Sequence, residues 1–144
     1  MTLWIAMWLL ASGEPVSVKS LKVTPPPGWE HIVVEGSAKW VAPSGEAYFT
    51  LDVGQTASKM TAKMCVEKIT KAVGGKFTKL TLAKQPAGKK EETTQDDAGK
   101  EFISWTYVGC NGVTTWSVQF HAVGKKKAEY QGVAGQVVAS IEYK

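Results

Sequence analysis

The sequence predicts an α+β domain in which an antiparallel β-sheet is flanked by helices. Three observations point there. Apolar residues alternate with polar ones over Ala38–Val53 and Phe102–Val123, they recur at helical spacing after residues 57 and 128, and turn residues rather than long linkers join these segments. The 144 residues, 44% of them hydrophobic, fit one globular domain of ordinary size. A chain this long buries roughly two thirds of its unfolded surface, so its core needs no metal or disulfide to form.

Thr2 to Ala11 (TLWIAMWLLA) is apolar without interruption, and Ser12-Gly13-Glu14-Pro15 follows at once. Ten residues are too few for a membrane-spanning helix, which needs about 20. They match the apolar region of a secretory signal, with Ala11 and Gly13 as the small residues of a cleavage site. The expectation is a signal peptide over residues 1–13, a single domain over 14–144, and a mature chain beginning near Glu14. No Lys or Arg precedes the run, so only the α-amino group supplies positive charge there.

Pro25-Pro26-Pro27-Gly28 then breaks regular structure and delivers Trp29, and a short apolar piece runs from His31 to Glu35. Ala38–Ala42 and Ala47–Val53 read as two strands joined by the turn Pro43-Ser44-Gly45-Glu46. From Ala57 to Val73 the period becomes helical: Ala62, Cys65, Val66, Ile69, Ala72 and Val73 form a stripe. Thr56 or Ser58 is placed to cap its start, and Gly74-Gly75 its end. A strand is expected at Phe77–Ala83. Gln85–Lys100, polar and of mixed charge, reads as a mobile loop or a solvent-exposed hairpin.

Phe102–Val123 gives the clearest hairpin, because Asn111-Gly112 is the preferred pair for a type I′ turn. That turn sets Tyr107 opposite Trp116, Trp105 opposite Val118 and Ile103 opposite Phe120, all on one face. A final helix over Ala128–Ser140 carries Tyr130, Val133, Val137 and Ile141. Its interior Gly132 and Gly135 point to close packing on the sheet.

The chemistry is sparse. Net charge is +4 and the pI about 9.0, yet all 17 basic residues are lysine. Without arginine, planar bidentate reading of bases or phosphates has no agent, which argues against specific nucleic-acid recognition. His31 and His121 lie far apart and in no metal-ligand spacing. Asp96 and Asp97 share the polar stretch with lysines and read as solvated. No nucleophile elbow and no phosphate-binding glycine loop occurs. Neither catalytic residues nor a metal or cofactor is therefore expected.

Trp105 and Trp116 share their face with Ile103, Val118 and Phe120 and read as core. Trp29 and Trp40 are the tryptophans open to an aromatic binding role. Lys125-Lys126-Lys127, before the last helix, offers weak electrostatic contact with an acidic partner or anionic surface. Cys65 and Cys110 are the only cysteines, and an even count in an exported protein favours a disulfide. Cys65 lies on the inner stripe of the first helix. Cys110 lies with Val108 on the sheet face opposite Trp105 and Trp116. The bond requires that helix to pack over that face, and the alternative is two small buried hydrophobes.

The order Pro27-Gly28-Trp29, strand pair, helix closed by Gly74-Gly75, long antiparallel strands, and terminal helix ending Val137-Val138-Ala139-Ser140-Ile141 resembles the PsbP-like α/β sandwich family, which includes the bacterial DcrB-like envelope proteins. The likeness covers roughly Leu21 to Ile141. It implies a non-enzymatic protein of the periplasm or cell envelope that binds or stabilises a larger protein assembly. It carries no metal-ligand set onto matching positions. The alternative expectation is a small-ligand carrier with an aromatic pocket near Trp29 and Trp40.

Overall fold

The computed structural model describes residues 13–144, so residues 1–12 of the expected signal lie outside the described residues. In chain order the elements are β1 (Val16–Val18), β2 (Leu21–Val23), β3 (Glu30–Val34), β4 (Ser37–Val41), β5 (Ala47–Gln55), α1 (Ala62–Val73), β6 (Thr78–Leu82), β7 (Gln85–Gln95), β8 (Glu101–Cys110), β9 (Thr114–Val123), α2 (Lys127–Ala139) and β10 (Glu142–Tyr143). Seven strands form one sheet in the order β3-β4-β5-β9-β8-β7-β6. Every neighbouring pair in it is antiparallel. A small sheet, β1-β2-β10, lies apart from it.

The core sits on one face of the large sheet. Trp40, Phe49, Phe120 and Trp105 stand in a transverse row across β4, β5, β9 and β8, each directly opposite the next. Their ring centroids are 4.8, 5.6 and 5.9 Å apart in that order. Leu21 and Val23 of the small sheet pack with Tyr130, Ala134, Val137 and Val138 of α2 against this face. Each such large apolar side chain, fully buried, contributes about 1.5–3 kcal/mol. The opposite face is covered only in part, by α1 lying over β7 and β8.

Four expectations are corrected. First, the helix starts at Ala62 and not near Ala57. Thr56 and Met60 are tied to the β8–β9 turn instead: Thr56 donates from its backbone to the Val113 carbonyl and Met60 to that of Gly112. The cap is therefore Thr61, whose Oγ1 accepts the Met64 amide hydrogen at 3.2 Å. Second, Gln85–Lys100 is no mobile loop but the hairpin alternative: it is mostly the eleven-residue strand β7, which turns at Asp96–Gly99 into β8. Its second half pairs with β8 alone and is exposed, which is why its sequence reads as a loop.

Third, the β8–β9 register is shifted by two residues. Tyr107 faces Val118, Trp105 faces Phe120, and Trp116 faces Gly109. Asn111 does not take the positive φ that a type I′ turn needs. Its Oδ1 accepts the amides of Val113 and Thr114 at 3.0 and 2.8 Å, so a longer loop forms. A shift of two leaves every side chain on its expected face. It also explains Gly109, where a Cβ would collide with the Trp116 ring. Fourth, Gly132 and Gly135 are not there for close packing, since a Cβ at either would meet nothing within 4 Å.

Candidate functional site

Cys65 and Cys110 are disulfide-bonded, with Cα atoms 6.0 Å apart. Cys110 follows Val108 by two residues and so shares its face, and α1 packs over that face with Cys65 inward. Val66 joins the two cysteines in a second, small core that Met60 and Ile69 border. The link spans 45 residues, and the chain-entropy model assigns a loop of that size about 4 kcal/mol. It fixes the position of α1 on the sheet.

Trp29 and Trp40 both pack with the core. Trp40 is 1% exposed, with His31 stacked on one side at 5.9 Å and Phe49 on the other. Trp29 is half-buried and closes the core end formed by Phe49, Phe120 and Tyr130. Sequence reading left them open because the alternation that assigns Trp40 inward says nothing about what stacks against it.

Lys125, Lys126 and Lys127 differ in their ionic partners. Lys126 lies 3.8 Å from Glu129, and Lys127 lies 3.2 Å from Glu91. Lys125 has no ion pair among the described residues.

The part of the sheet that α1 leaves uncovered carries a set of residues that sequence reading did not join. Tyr48, His121 and Ser104 stand opposite one another across β5, β9 and β8. His121 Nδ1 is 2.8 Å from Ser104 Oγ, and its ring stacks on Tyr48 at 4.7 Å. Lys39 Nζ sits 4.6 Å from the Tyr48 ring centre. Burial, and to a lesser extent Lys39, hold the imidazole below its ordinary pKa and keep it neutral. In the expected register Ser104 faces Gln119, so the pair came to light only with the two-residue shift.

A serine–histidine pair acts as a nucleophile only where a third group orients the base and donors await an oxyanion. Here the imidazole is oriented by its stack on Tyr48, on an open sheet surface. Thr50 and Gln119 continue that surface. Between it and α1 runs a 330 Å³ groove lined by Asp52, Ile69, Val73 and Ser117 among others. Val73 is 48% exposed, and Ile32 at the sheet edge 67%. The uncovered face is thus polar at its centre, with Val73 and Ile32 exposed at its margins.

An antiparallel sheet with a helix and a small sheet over one face and a disulfide-pinned helix on the other is an α+β sandwich. Its fold is that of the PsbP-like group. No family model matches the sequence, and no curated protein matches it. Solved structures do match. A protein of Bacteroides thetaiotaomicron superposes with a TM-score of 0.74 at 14% identity over 92% of this chain. This chain spans only 49% of that protein's length. LpqN of Mycobacterium tuberculosis, described as involved in cell envelope biogenesis, gives 0.57 at 12% identity, covering 90% of this chain and 84% of its own. The cyanobacterial PsbP (CyanoP) of a Synechocystis species gives 0.51 at 13% identity, covering 93% and 94%. Identities this low establish the fold and leave function to the site.

Proposed function

We propose that the protein is an exported, non-catalytic accessory subunit that binds a protein partner in a cell-envelope assembly. The Cys65–Cys110 bond carries the reading, because such bonds persist in oxidising compartments and are rare in the cytosol. The apolar run Thr2–Ala11 supports export. The likeness to LpqN, described as involved in cell envelope biogenesis, supports an envelope role. The contact face is the uncovered half of the sheet around Tyr48, Thr50 and Gln119. The carrier alternative has less support, because Trp40 is almost fully buried and Trp29 is half-buried against Phe49, Phe120 and Tyr130.

The test is a photoreactive amino acid at Thr50 in the native cell, with a second at Lys22 on the small sheet as control. The expected result is one discrete adduct with an envelope protein from position 50 and none from 22. Equal labelling from both positions, or adducts only with cytosolic proteins, would overturn the proposal.

A further inference from the structure

Charge is distributed unevenly along this chain. Residues 56–90 hold nine of the 17 lysines and only one of the 13 acidic residues, Glu67, a net charge of +8. The remainder holds eight lysines against twelve acids, a net charge of −4. The cationic stretch corresponds to α1, β6 and the first half of β7, which lie together at one end of the fold.

Two depressions map how these lysines meet. A 340 Å³ cavity between α1 and the β6–β7 hairpin is lined by Lys63, Lys79 and Lys84, with Glu67. A second, on the outer side of α1, is lined by Lys68, Lys71 and Met64, again with Glu67. Sharing Glu67, they form one continuous surface of five lysines around a single carboxylate. All five lysines are exposed, and none forms an ion pair among the described residues. Met64 is 51% exposed in their midst.

We infer that this surface docks the protein onto an anionic lipid membrane. Two features favour lipid over an acidic protein. Every cation is lysine, a point charge on a flexible stem that needs no fixed geometry from its counter-charge. A protruding thioether among lysines matches an interface where apolar atoms enter the headgroup region while ammonium groups stay with the phosphates. The disulfide holds α1 in place, so the surface is set before contact. The inference deepens the proposed envelope role, but it concerns surface chemistry alone. A failure of export would leave the vesicle result unchanged.

The test is flotation of the full chain, disulfide intact, with phosphatidylcholine vesicles with and without 30% phosphatidylglycerol. The amino-terminal apolar run is common to every arm, so the readout is the ratio of anionic to neutral binding. The expected ratio is well above ten at 50 mM salt and collapses at 500 mM. Each single Lys→Gln change among the five is expected to weaken anionic binding about fivefold. Met64→Gln is expected to weaken it and Met64→Leu to preserve it, while Lys22→Gln, on the small sheet, leaves it unchanged. Circular dichroism and a thiol count confirm that each variant folds. A ratio near one, or five substitutions together without effect, would overturn the inference. Retention on a polyglutamate matrix without vesicle binding would overturn it in favour of an acidic protein partner.

Discussion

The indole of Trp105 donates its Nε1 hydrogen to Oε1 of Glu91 at 2.8 Å, across the β7–β8 pair in which the two residues stand directly opposite. The other carboxylate oxygen accepts from Lys127 at 3.2 Å. One exposed acid thus ties a strand, a core tryptophan and the start of α2. Glu91→Ala leaves the buried indole hydrogen without a partner and is expected to cost about 1–3 kcal/mol. Glu91→Gln keeps an acceptor and is expected to cost less. The indole bond, and secondarily Lys127, hold this carboxyl below its ordinary value of 4.5 against an opposing effect of burial. Its contribution is therefore complete above the ordinary glutamate range and is lost as pH falls through the lower, folded-state value. Urea unfolding of the three proteins at several pH values measures both effects.

His121 gives a second step at milder pH. Its folded pKa is below the ordinary 6.5, so on acidification the unfolded chain binds a proton first. Stability is expected to be flat above pH 6.5 and to decline below it. In His121→Gln that decline is expected to vanish down to the carboxylate range. An unchanged profile would mean that burial, with Lys39, does not hold the imidazole below its ordinary pKa.

The β6–β7 turn stores strain. Ala83 and Lys84 have φ of 53° and 62° and close the Leu82–Gln85 pair, the type I′ geometry that Asn-Gly adopts at little cost. Left-handed backbone costs a non-glycine residue roughly 1–2 kcal/mol. Replacing Ala83-Lys84 by Asn-Gly is expected to stabilise the protein by about 1–2 kcal/mol in thermal or chemical unfolding. A loss of stability would show that the turn is not strained as described.

These two turns show what the sequence made legible. Asn111-Gly112 correctly marked a hairpin, since local composition decides that a turn forms. Its type was settled by the Asn111 side chain and by Gly112, whose φ of 103° brings its backbone against Met60 O, where a Cβ would not fit. That contact joins segments far apart in sequence. The cysteine pairing was legible because a two-residue shift preserves facing, so Cys110 and Val108 share a side in either register. The Tyr48–His121–Ser104 row was not legible, because it depends on which residues stand opposite and not only on which face they occupy. The lysine surface was hidden for a related reason. Its members come from a helix and a hairpin that only the packing brings together, whereas Lys125–Lys127 drew notice by adjacency alone.

Export and closure by Cys65–Cys110 are tested together by the thiol state and amino terminus of the native protein. Cells of the native host are quenched with acid, and the protein recovered from envelope and cytosolic fractions is alkylated without reduction and weighed intact. The protein is expected in the envelope fraction, beginning near Glu14, with no alkyl group added until a reductant is supplied. Protein found in the cytosol with Met1 in place and two alkylated thiols would contradict it.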